Sequence, residues 1–180
     1  MIVFGAMFTA PLLAGYMQRR GRRAGFLLGA AGGLVGSGLA ALGLSLASFP
    51  LFLAGSFLTG TYMAAQGFYR FAATDAASEA FKPKAISWVL AGGLVSALTG
   101  PQLVKVTNDL FAVPFLGTYL VSMSINVAGA GLFFLLDLPA PPRAAARPAR
   151  GPSWLELLSR PVILVAVICA MVSYSLMNLV

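Results

Sequence analysis

The sequence contains no histidine, one cysteine and five acidic residues in 180 positions. A lone Cys169 cannot form a disulfide within the chain. Zinc centres of the usual Cys/His type, a Ser-His-Asp triad and an HExxH metalloprotease site all need residues that are missing. The acids Asp75, Glu79, Asp109, Asp137 and Glu156 sit near the edges of apolar stretches, which leaves little equipment for acid-base chemistry. No enzyme, metal or cofactor is expected. Charge of either sign is scarce at 9% of residues, against roughly a quarter in a soluble domain.

What is present is apolar: 59% hydrophobic residues and a mean hydropathy of +0.88. Six uncharged windows, 1–17, 24–47, 51–69, 85–104, 112–136 and 161–180, are long enough or nearly so to cross a bilayer, which takes about 20 helical residues. None has the polar outer face of a soluble helix, and no alternating pattern suggests a barrel. The positive charge follows the first window, where a signal peptide would have it in front. The expected fold is all-α, a polytopic bundle of six transmembrane spans.

Eleven of the twelve basic residues fall in alternate connections: Arg19, Arg20, Arg22 and Arg23; Arg70, Lys82 and Lys84; Arg143, Arg147, Arg150 and Arg160. The opposite connections, "ASFP" (47–50) and "KVTNDLFA" (105–112), hold only Lys105. Basic loops stay in the cytoplasm, so residue 1 is expected outside. The net charge of +7 then reports topology, and nucleic acid is not expected as a partner. Tyr16, Tyr69, Trp88 and Trp154 fall at the expected inner interface, where aromatic rings anchor spans.

Gly25, Gly29 and Gly33 recur at four-residue spacing in the second window, beside Gly32 and Gly36, and predict close helix packing. Gly92, Ser96 and Gly100 repeat the spacing in the fourth, where Pro101 predicts a kink. The stretch "LPAPPRAAARPARGP" (138–152) reads as a linker. Ser153 and Glu156 then fit a capping box that opens a short interfacial helix. The expected division is 1–137 with five spans, 138–160 as cytoplasmic linker, and 161–180 as a further span.

The stretch "AGYMQRRGRR" (14–23) resembles the loop motif G-x-L-A-D-R-x-G-R-R of the major facilitator superfamily. Arg19, Gly21, Arg22 and Arg23 match; Gln18 stands in place of the Asp and Ala14 in place of the first Gly. Gln66 and Gly67 resemble the family's fourth-helix motif, with Met63 where that motif has arginine. Gly100 and Pro101 resemble its Gly-Pro helix-five motif of antiporters, which leans towards efflux. The order of these matches places the chain on family helices two to seven. Family members begin and end in the cytoplasm, whereas six spans starting outside do not, so a shortened chain is expected.

The resemblance implies a secondary transporter of a small organic molecule in a bacterial-type inner membrane, working by alternating access with lipids around it. Its cavity helices correspond to the third and last windows, which offer Thr59, Tyr62, Met63, Gln66, Tyr174 and Asn178. No ionisable group lies within a span, so either the solute is neutral or amphipathic or a coupling ion is served elsewhere. Arg70, at the inner end of the third window, is the nearest cation. Arg19, Arg22 or Arg23 paired with Asp75 or Glu79 would latch two cytoplasmic loops. A rival reading is a six-helix scaffold or half-size unit that needs a partner chain.

Overall fold

The computed structural model describes residues 1–135, 159–165, 168, 169 and 172. Its helices are α1 (Ile2–Arg20), α2 (Arg22–Ser45), α3 (Phe49–Gly67), α4 (Tyr69–Ala76), α5 (Lys82–Thr107) and α6 (Leu116–Leu135). The chain divides into two compact units, Met1–Pro141 and Pro142–Val180. In the second, residues 161–165 are helical and Cys169 is exposed and free. Tyr174, Asn178, Trp154 and the Ser153 and Glu156 pair lie outside the described residues.

The first five uncharged windows coincide with α1, α2, α3, α5 and α6, as an all-α membrane bundle requires. Among the described residues, α2, α5 and α6 are long and apolar enough to cross a membrane. Helices α1 and α3 have 19 residues each, but Gln18, Arg19 and Arg20 in one and Ser56, Thr59, Thr61 and Gln66 in the other dilute their apolar character. The third window ends earlier than its lack of charge suggests. The helix breaks at Phe68, and the expected connection 70–84 holds the short helix α4.

A single residue joins α1 to α2. Gly21 has φ 92°, where a Cβ is strained, and its amide closes α1 on the Met17 carbonyl at 2.9 Å. Pro50 opens α3 and Pro83 opens α5, each in a first turn whose amide has no helical partner anyway.

Burial is inverted relative to a water-soluble bundle. The buried face of α2 is Gly25, Phe26, Gly29, Ala30, Gly33, Gly36, Ser37, Ala40, Ala41 and Gly43, nearly all small. Large side chains point outward: Leu12 is 73% exposed and Leu98 70%. Lipid attracts them as well as a protein interior does, so small residues that let backbones meet decide the packing. α2 lies at the centre, against α1, α3 and α6.

The glycines of α2 make the close contact that their spacing predicts. A Cβ at Gly25 would strike the Met17 side chain, and one at Gly29 the Ala65 methyl. At Gly36 it would lie 2.5 Å from the Thr59 amide nitrogen and 2.8 Å from the Gly55 carbonyl oxygen. The matching ladder on α5 has no such contact among the described residues. Gly92 and Gly100 face open space, and Ser96 turns its hydroxyl to the Gly93 carbonyl of its own helix. No part of the apolar stretch of α5 is buried, because nothing among the described residues covers that face. Pro101 sits inside α5 without ending it.

Gly36→Ala is therefore expected to lower the thermal stability of detergent-purified protein by about 1–3 kcal/mol, through overpacking against backbone that cannot yield. Gly92→Ala should be neutral or stabilising, by up to about 1 kcal/mol, because only helix propensity changes there. Equal losses in thermal-shift measurements would contradict this contact map.

Candidate functional site

Two layers of contacts join α2, α4 and α6 at the end of the bundle that carries Gly21. In the polar layer, Arg22 Nε donates to Asp75 Oδ2 at 2.7 Å. Its neighbour Arg23 donates from Nη2 to the Phe134 carbonyl at 2.7 Å and lies 5.6 Å from the centre of the Phe134 ring. An arginine on the last carbonyls of a helix suits both the free acceptors and the helix dipole. Beneath them Phe26, Tyr69 and Phe133 pack together, with ring centres 5.0–5.8 Å apart. Tyr69, half-buried, belongs to this cluster and packs its ring against the other two.

The loop residues thus have divided tasks. Arg22 meets Asp75, whereas Glu79 pairs with Lys82 at 2.5 Å, within its own turn. Arg19 and Arg20 are exposed, and neither has a partner among the described residues. A small cavity of about 150 Å³ opens beside them, lined by Ala14, Met17, Gln18, Arg22 and Phe68. Arg70 is exposed on α4.

The candidate cavity residues of α3 separate in the same way. Thr59 donates its hydroxyl to the Gly55 carbonyl at 3.0 Å and faces Gly36 of α2. Tyr62 lies beside Gly33, and its side chain interacts with that of Tyr69. Both are turned into the bundle. Met63 is half-buried and Gln66 is exposed, with no hydrogen-bond partner among the described residues.

One polar seam was not anticipated from the sequence. Midway along α6, Asn126 is 6% exposed; its Nδ2 donates to the Ser122 carbonyl at 2.8 Å while its Oδ1 is buried without a donor. The Ser37 and Ser122 hydroxyls meet at 3.2 Å, one helical turn further along. The available signal was that Asn126 is the lone amide in window 112–136. A side-chain amide in a span is expensive to leave in lipid and marks an inward face.

With this geometry in place, the relatives decide the family. The chain is 37% identical over 179 residues to a riboflavin transporter, RfnT, of Brucella anthropi, an alignment covering 97% of this chain and 44% of that protein. It is 33% identical over 150 residues to an uncharacterized MFS-type transporter, YddS, of Bacillus subtilis, covering 79% of this chain and 33% of the other. The chain belongs to the major facilitator superfamily. It spans less than half the length of either relative. No family model matches it, and no solved structure does. As a member of this superfamily it is a multi-pass membrane protein and not an enzyme.

A Cβ at Gly33 would stand 2.5 Å from Asn126 Oδ1 and 3.0 Å from the Tyr62 Cβ. Gly33→Ala should therefore destabilise the protein, and Asn126→Ala in the same chain should recover part of the loss, with a coupling of about 0.5–3 kcal/mol in thermal unfolding. Strict additivity would show that the two residues do not touch. The Arg22 and Asp75 pair is partly exposed, at 25% and 48% of each side chain, so its coupling should stay within about 0–1 kcal/mol. Charge reversal at Arg22 should raise labelling of cysteines introduced into the adjoining loops, and reversal at Asp75 as well should restore protection.

Proposed function

We propose that this chain is part of a secondary transporter that moves riboflavin, or a flavin of similar shape, across a bacterial inner membrane by alternating access. The observation that carries this reading is the 37% identity to a riboflavin transporter, which runs along 97% of the chain. The residues agree with such a solute. Riboflavin is an uncharged, planar ring system with a polyhydroxyl tail, and the spans offer no ionisable group to a charged cargo. A neutral amphipath is held by amides, hydroxyls and apolar surface.

Within α3, Gln66 and Met63 are the groups left free to meet it, since Thr59 and Tyr62 are engaged with α2 and α4. Gln66 offers both a donor and an acceptor, which suits the imide and hydroxyl groups of a flavin. In this reading α1 to α6 stand for family helices two to six, α4 being an interfacial turn, and residues 161–180 begin the other half. The Arg22 and Asp75 pair biases the cytoplasmic face without holding it shut, because a pair of that exposure is weak compared with the differential binding that drives a full switch.

The test is flux of radiolabelled riboflavin in proteoliposomes made with the full-length protein, measured in both directions, since the Gly100 and Pro101 motif leans towards export. Saturable flux above protein-free vesicles is expected. Gln66→Ala should lower it by about tenfold, the size of one hydrogen bond lost from a desolvated site. Folded protein that neither accumulates nor exchanges flavin would overturn the substrate assignment.

A further inference from the structure

We propose that Gln66 and Arg70 together recognise a phosphorylated flavin at the inner end of α3 and α4, so that the phosphate ester of the carried solute inhibits transport from the cytoplasmic side. This rests on the flavin reading above, in which Arg70 has no part. The register of the chain puts the two residues on one face. Although α3 breaks at Phe68, that residue keeps right-handed helical angles, with φ -88° and ψ -8°. Its amide donates to the Ala65 carbonyl and its carbonyl accepts from the Ala72 amide, each at 3.0 Å. Ala65 and Ala72, two turns apart, lie in one buried cluster, and Tyr62 meets Tyr69 across the same interval. The helical period therefore runs through the break. Residues 66 and 70 stand one above the other, about 6 Å apart along the axis.

Both side chains are exposed, and Arg70 has no acid of the described residues beside it. The acids that follow it are taken, Asp75 by Arg22 and Glu79 by Lys82. A guanidinium left unpaired one helical turn beyond an amide suits a ligand with a neutral ring system and an anionic end. Riboflavin is uncharged, but its tail ends in a hydroxyl, and phosphoryl transfer to that hydroxyl makes a monoester of about -1.5 to -2 charge at neutral pH. With the ring on Gln66, such an ester can rest its phosphate on Arg70. It is not carried further, because the uncharged windows between the two membrane faces offer it no cation, and a charge at mid-membrane without a partner is strongly disfavoured. The ester is therefore held at the mouth, where it excludes riboflavin. Cytoplasmic phosphorylation of the solute would then throttle its own supply.

The experiment is displacement of radiolabelled riboflavin from the full-length protein in detergent, with unlabelled riboflavin, riboflavin phosphate or inorganic phosphate as competitor. Riboflavin and its ester should both displace the label, and inorganic phosphate should not do so at concentrations where the ester does. Arg70→Gln should reduce the ester's affinity relative to that of riboflavin on the order of tenfold, the loss expected for one charge-assisted contact, and Arg70→Lys should keep part of it. Gln66→Ala should weaken both ligands alike. In proteoliposomes the ester should inhibit riboflavin flux without itself being carried. An ester that competes equally well with wild type and Arg70→Gln, or that is transported like riboflavin, would overturn this proposal and leave the flavin reading intact. So would loss of the ester's competition once phosphatidylglycerol is added to the micelles, which would assign Arg70 to a lipid headgroup. Failure of riboflavin itself to bind the folded protein would overturn both.

Discussion

The contact between α2 and α3 is the constraint from which the rest of the first unit follows. In lipid there is no gain from hiding leucine, so helices associate where their backbones come near enough for dispersion and weak polar contacts to act together. Gly29, Gly33 and Gly36 on one helix, with Gly55, Thr59 and Ala65 on the other, provide that nearness. α1 then lies on α3 through Gly5 and Gly60, and α6 lies on α2 through Ser37, Ser122 and Asn126. Bulky residues are left to face outward, where the solvent is itself hydrocarbon.

Much of this was legible in the residues because lipid imposes a strong filter. An uncharged run of 20 residues has few alternatives to a helix, and five windows became helices within a few residues of their expected limits. The glycine spacing on α2 also carried real information. On α5 the same spacing tells that the helix can be approached and not what approaches it. Gly92 and Gly100 remain open, and only a partner absent from the described residues would give their ladder a meaning.

The limits of sequence reading were sharpest at the Gly21 end. The search for charge marked Arg70 as the edge of the third span, but the chain had already broken at Phe68, where Tyr69 turns inward to Phe26 and Phe133. A hydroxyl on a ring does not reveal whether the ring faces a headgroup or two other rings. Likewise, four arginines in one motif look equivalent as letters. Only geometry separates the two that join helices from the two that face outward. The α3 residues Thr59, Tyr62, Met63 and Gln66 show the same thing, since two of the four spend their polar or contact surface inside the bundle.

The one-residue joint at Gly21 limits how the first two helices can move. A sliding step of one helical turn needs about 5.4 Å of slack, more than the roughly 3.8 Å that one peptide unit spans, and a single glycine between two continuous helices has none to give. Any rearrangement of this bundle must therefore keep the adjoining ends of α1 and α2 together, so that the helices tilt as two rods pinned at a shared corner.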